Sequence, residues 1–188
     1  IYLELGILDS SYHYYQKALD ISYELDDKKS ISSSLNFIGR YFYNKGNFDR
    51  SLEFHRQSLE IENNLKHKIG ISYSLNFIGE CYHKMKLYNS ANESYTKSLK
   101  IREEIGNVKG VAECYNNLGS LYFAQNDNLT ALDYHHKSLK IKKEIGFIKG
   151  EAISLYHLGD VYLSVEDYHK ALNYYNSSLE KLKFISNQ

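Results

Sequence analysis

The stretch from Cys114 to Gly150, CYNNLGSLYFAQNDNLTALDYHHKSLKIKKEIGFIKG, is one unit of a pattern that returns every forty residues on either side of it. Four glycines mark the period: Gly39, Gly79, Gly119 and Gly159. Each follows Ile or Leu and is itself followed three residues later by an aromatic, Phe42, Tyr82, Tyr122 or Tyr162. Self-similarity at a fixed spacing of this length signifies stacked supersecondary units, none of which can bury its apolar face alone. Gly6 aligns with Gly46, so residues 1–30 read as a partial unit, followed by units at 31–70, 71–110, 111–150 and 151–186. An array grows by stacking, so residues 1–188 are expected to form a single domain. The chain starts in mid-repeat at Ile1 rather than at Met, and an excerpt of a longer protein is expected.

Within each unit the apolar residues at four before, one before and three after the glycine trace one helical face: Leu35, Ile38 and Phe42, for example, or Tyr115, Leu118 and Tyr122. This is helix A. A glycine inside a helix costs about 1 kcal/mol against alanine, and its return in every unit predicts a partner helix crossing too closely for a Cβ. The turns KGNF (45–48), MKLY (85–88), QNDN (125–128) and VEDY (165–168) follow. Gly46 and Asn126 suit the left-handed residue that ends a helix, and Asn47, Asp127 and Asp167 suit an N-cap. Lys86, Glu166 and Leu87 do not, which predicts a different turn there. Helix B then carries small residues (Ser51, Ala91, Ala131, Ala171; Ser58, Ser98, Ser138, Ser178) where it approaches helix A. Leu25, Leu65, Ile105, Ile145 and Ile185 are expected to extend its apolar face.

Composition narrows the function classes. Twenty-three basic residues match twenty-three acidic ones, which leaves no long-range field to gather nucleic acid or anionic lipid. Two cysteines, Cys81 and Cys114, are too few for a disulfide framework, and buried free thiols in a cytoplasmic protein are expected. There is no apolar run long enough to span a membrane. The eight histidines do not converge: His55 and His135 take the helix B slot that holds Tyr95 and Tyr175 in other units, which predicts packing rather than metal binding. No phosphate loop, nucleophile elbow or HExxH motif is present, so neither a cofactor, a metal nor an enzymatic activity is expected.

The combined pattern, Leu or Tyr, Ile or Leu, Gly, an aromatic, then small residues twelve and nineteen positions after the glycine, resembles the tetratricopeptide repeat along essentially the whole chain. A period of forty resembles the long-helix variants of kinesin light chains, Pins-type adaptors and Rap-type regulators. The resemblance implies an all-α fold, a right-handed α-solenoid of stacked antiparallel helix pairs, with the A helices on its concave side. It departs at Asn128, where other units have an aromatic, and in lacking the proline that often ends helix B.

On that arrangement, the helix A residues turned away from the core would line a groove. They are Asn36, Asn76, Asn116 and Tyr156; Arg40, Glu80, Ser120 and Asp160; and Tyr43, His83 and Phe123, with Lys84 and Asn117 beside them. Phe37, Phe77 and His157 occupy the slot of Asn117 in other units. An amide offers a donor and an acceptor, as a peptide unit does, so asparagines at regular rise could pair with a partner backbone. The expected function is a protein-interaction scaffold that holds a protein or peptide segment in this groove. The alternative is a regulatory or sensor segment of a larger signalling protein that couples ligand binding or dimerisation to an output domain. Leu182, Phe184 and Ile185 face a missing fifth unit and predict self-association through an open end.

Overall fold

Nothing in this sequence breaks a helix except its turns, and the turns set the architecture. The computed structural model describes the backbone over residues 2–186 and side chains from Ser11 to Ser186. Among the described residues there are nine helices and no strand: α1 (Tyr2–Glu24), α2 (Lys28–Asn44), α3 (Phe48–Asn64), α4 (Lys68–Lys84), α5 (Tyr88–Glu104), α6 (Val108–Ala124), α7 (Asn128–Glu144), α8 (Ile148–Ser164) and α9 (Tyr168–Ser186). The fold class is the all-α solenoid of stacked antiparallel helix pairs. Helices α2, α4, α6 and α8 are the A helices, each beginning about three residues before the unit boundary expected from the repeat.

Every connection is a three-residue turn whose middle residue has φ between +50° and +77°. The amide of that residue and the next one close back onto the helix in the same way each time. At the first A helix, Gly46 N–H donates to Tyr43 O at 2.9 Å and Asn47 N–H to Phe42 O at 2.9 Å. At the second, Lys86 donates to His83 O at 3.0 Å and Leu87 to Tyr82 O at 2.9 Å. Lys86 and Glu166 therefore adopt the same left-handed turn as Gly46 and Asn126, contrary to expectation. Two turn-closing bonds outweigh a left-handed penalty of roughly 1–2 kcal/mol per residue. The N-caps follow the sequence: Asn47, Asp127 and Asp167 accept from the backbone amides of Arg50, Thr130 and Lys170, and Asp27 and Asn107 do the same for α2 and α6.

The helices form two compact units, residues 1–101 and 102–188. In the first, α1, α2, α3 and α4 pack consecutively and α2 also touches α4, A helix to A helix. The second repeats this with α6, α7, α8 and α9, and α6 touching α8.

The glycine row has a more specific cause than a close backbone crossing. A Cβ on Gly39 would lie 2.6 Å from the His55 ring, on Gly79 2.6 Å from Tyr95, on Gly119 2.7 Å from His135 and on Gly159 2.5 Å from Tyr175. A flat ring from helix B lies where the Cβ would be. Beside it, buried serines tie the pair together: Ser98, Ser138 and Ser178 donate to the carbonyls of Ser72, Ala112 and Ala152 at 2.7 to 2.8 Å. Leu35, Ile38, Ile78, Leu118, Leu121, Leu158 and Val161 fill the apolar stripe. Cys81 and Cys114 are buried and not disulfide-bonded, and burial pushes the Cys81 thiol up to about 11. One expectation is overturned: Leu25, Leu65, Ile145 and Ile185 are exposed, not core. Leu65 and Ile145 are helix C-caps, beyond the last residue that packs.

Candidate functional site

The A helices present the predicted polar residues, but most of these groups are already engaged with one another. In the first unit, the Asn36 amide donates to Ser74 Oγ at 3.1 Å while its oxygen lies 2.7 Å from His55 Nδ1. Asn76 is buried and donates to Glu80 Oε1 at 2.8 Å. The other Glu80 oxygen pairs with Arg40 from the neighbouring A helix, so these two groove charges neutralise each other. The Arg40 guanidinium lies 5.1 Å from the Tyr43 ring centroid and 5.2 Å from that of Phe77. Burial, with the Glu80 charge second, pushes the Tyr43 hydroxyl up to about 12. His83 is half-buried against Tyr88, and Lys84 is exposed.

In the second unit, Asn116 is half-buried and its oxygen accepts from Ser154 at 3.4 Å. His157 stacks on His135 with centroids 5.1 Å apart, and Asp160 accepts from the Tyr175 hydroxyl at 2.8 Å. Asn117, Ser120 and Phe123 are half-buried, and Tyr156 is half exposed. Asn36 and Asn76 thus belong to a polar layer that knits their unit together, and Asn36 retains one amide N–H outside these bonds.

A second row of glycines escaped the sequence reading. Gly70, Gly110 and Gly150 are buried near the starts of α4, α6 and α8, and each faces a charged side chain from the end of the preceding B helix: Glu62, Arg102 and Lys142. These three recur at the forty-residue period and are almost wholly buried. The Glu62 carboxylate accepts from the Ser32 hydroxyl and lies 2.6 Å from His67 Nδ1. Arg102 donates to Gly110 O at 2.7 Å and to Glu113 at 3.2 Å. Lys142 donates to Ser154 Oγ at 2.9 Å, and burial pushes its amine down to about 8, with Glu113 pulling the other way. The clue in the sequence is the recurring glycine of KIG, VKG and IKG at 68–70, 108–110 and 148–150.

Glu62 lines the floor of a half-open cavity of about 400 Å³ between α2 and α4. Its walls are Phe37, Tyr73, Phe77 and Ile69, and its rim carries Asn36, Arg40 and His67. Phe37 and Tyr73 are 52% and 41% exposed, large apolar surfaces facing an open hollow. Among the described residues, no group of three His, Cys, Asp or Glu is placed to hold a metal ion. No described helix is long and apolar enough to cross a membrane.

Family profiles described as tetratricopeptide repeat match residues 32–62, 70–144 and 129–183. A comparison with curated protein sequences gives no match. Among solved structures, BtubC (BKLC) from P. vanneervenii superposes with a TM-score of 0.80 at 19% identity, over 99% of this chain and 77% of that one. Rap protein complexed with Competence and Sporulation Factor gives 0.86 at 16% identity, over 95% of this chain and half of that one. The nearly identical TPR-like repeats of a putative kinesin light chain from Podosopora anserina give 0.72 at 12% identity, over 100% and 92%. At these identities the likeness is one of fold.

Proposed function

The chain belongs to the tetratricopeptide repeat family, and from that premise we propose that it is a protein-interaction module, not an enzyme, that holds a peptide or helical segment of a partner along its A helices. The observation that carries this reading is the aromatic-walled hollow between α2 and α4, bordered by the Asn36 amide and Arg40. Partner-facing surfaces are enriched in exposed aromatics and Arg, and such residues carry most of the binding energy where they fill pockets. The Rap structure, solved with Competence and Sporulation Factor bound, supports a peptide as the occupant. We extend the proposed contact set to Tyr43, Asn76, Glu80, His83, Lys84, Asn116, Asn117, Ser120, Phe123, Tyr156 and Asp160, with residues 1–188 acting as one cytoplasmic domain. Nucleic acid and membrane are not proposed partners, given the balanced charge.

Selection from a displayed peptide library tests this. Peptides enriched on the wild type are expected to bind Asn36→Ala/Phe37→Ala at least about tenfold more weakly, as loss of one anchoring aromatic typically costs 2 kcal/mol or more. Unchanged binding, with unchanged circular dichroism, would remove the α2 surface from the site. A regulatory segment of a longer signalling protein is the second reading, favoured by the likeness to Rap, of which this chain spans half.

Self-association through the C-terminal end is also proposed, because Leu182, Phe184 and Ile185 are exposed there and Leu182 shares a shallow apolar hollow with Ile153 and Tyr156. Leu182→Glu/Phe184→Glu is expected to abolish a concentration-dependent dimer in sedimentation velocity. A wild type that stays monomeric at high concentration removes the idea.

A further inference from the structure

The hollow between α2 and α4 has a chemistry more specific than a general peptide groove. Three aromatic rings contribute to its wall: Phe37, Tyr73 and Phe77, with Tyr73 and Phe77 stacked at a centroid distance of 6.5 Å. Ring faces carry negative electrostatic potential and attract cations within about 6 Å. At the floor lies the Glu62 carboxylate, held by the Ser32 hydroxyl and His67 Nδ1. Among the described residues, Arg40 is the one Lys or Arg lining the hollow, and it is paired with Glu80 and bracketed by Tyr43 and Phe77, whereas the partners of Glu62 are Ser32 and His67. Glu62 is thus the carboxylate of this hollow that no Lys or Arg side chain neutralises, at the buried end of a half-open site walled by aromatic rings.

A hollow of about 400 Å³ admits one long side chain and is too small for a folded element. An aliphatic guest would close the hollow over the carboxylate with no cation beside it, leaving only the Ser32 and His67 bonds to stabilise its charge. An acidic guest would meet Glu62 at the floor and find Arg40 already engaged. A lysine or arginine satisfies both features: its stem lies along the rings while its charged end reaches the carboxylate. We propose that this hollow is a subsite for a lysine or arginine side chain of the bound partner peptide, with Glu62 as the charge reader and Phe37 and Tyr73 as its aromatic walls. The assignment rests on the peptide-groove reading above and adds to it the chemistry of one partner residue.

The same floor position is Lys142 in the second unit, where a buried amine replaces the carboxylate. The preference for a basic side chain is therefore a property of this hollow, and not of the repeat in general.

The test uses capped amino-acid amides as probes: N-acetyl amides of arginine, lysine, leucine, phenylalanine and glutamate, titrated into the full chain while the ring resonances of Phe37, Tyr73 and Phe77 are followed by NMR. The arginine and lysine probes are expected to shift these rings at least about fivefold more tightly than the other three. Glu62→Gln, which keeps the shape of the carboxylate, should abolish that preference. Phe37→Ala, at an exposed position, should weaken the basic probes about fivefold or more, and it decides the matter if Glu62→Gln does not fold. Equal or tighter binding of leucine or phenylalanine would make the hollow an apolar subsite. Tighter glutamate binding would make Arg40 the reader, and the absence of any ring shift would show that no side chain enters; each of these overturns the proposal. Peptides selected by the wild type, sensitive to Asn36→Ala/Phe37→Ala but without basic residues, would sink this subsite while leaving the groove standing.

Discussion

Gly79→Ala is expected to destabilise the protein by about 1–3 kcal/mol, although alanine is the better helix former by about 1 kcal/mol. The sign is set by packing. Gly79 sits inside α4, and its added methyl would lie 2.6 Å from two ring carbons of Tyr95, a side chain only 1% exposed. The ring is enclosed on all sides, so either it leaves its rotamer or the helices part. A double-mutant cycle distinguishes this from a backbone effect. Tyr95→Ala alone should cost about 3–5 kcal/mol, as truncation of a buried aromatic does. In that background the methyl group has room, and Gly79→Ala should become neutral or stabilising. A Gly79→Ala chain more stable than wild type in urea unfolding would refute the ring-on-glycine account of the repeat.

That account also shows which features could be read from the sequence. The period of Gly39, Gly79, Gly119 and Gly159 carried the helix pairs, the turns and the repeat boundaries, because stacked units must repeat whatever makes them pack. The identity of what fills the space beside those glycines was less legible. His55 and Tyr95 differ in chemistry yet present the same flat face, and only geometry shows the ring standing where a Cβ would be. The turns at Lys86 and Glu166 are not legible from residue preference, because two closing backbone bonds enforce the conformation whatever the side chain. The groove was partly legible. Positions on the outward stripe of helix A were identified, but a helical register says nothing of whether Arg40 and Glu80, forty residues apart, will pair with each other. Glu62 was missed for a related reason: charged residues at the end of a helix ordinarily face water, and its burial depends on Gly70 leaving room.

Acidification from pH 6.5 toward pH 4 is expected to remove several kcal/mol of stability, and two histidines account for most of it. His55 and His135 each press a ring onto a helix A glycine and are essentially unexposed. Burial, aided by the charge of Arg40, holds His55 down at about 3. Burial, aided by His157, Lys142 and His136, does the same to His135, also at about 3. The ordinary histidine value is 6.5, so between pH 6.5 and 3 the unfolded chain binds protons that the folded chain excludes. Stability is therefore complete above pH 6.5 and is lost as pH falls through this window, by up to roughly 4 kcal/mol per ring. His83, His136 and His157 are also lowered, chiefly by burial, and add to the loss with the same sign. The carboxylates Asp27 and Asp167 act only at lower pH, because hydrogen bonds from Ser30 and Lys170 hold them below the ordinary value of 3.8. The decisive comparison is urea unfolding of wild type and His55→Phe/His135→Phe at pH 7.5, 5.5 and 4.5. Phenylalanine keeps a flat ring over Gly39 and Gly119 but has no proton to exclude. Whatever the double variant loses at pH 7.5 through the vacated Asn36 bond, its stability should change much less with pH than that of the wild type. Parallel slopes for the two proteins would mean that the buried rings are not what acid attacks.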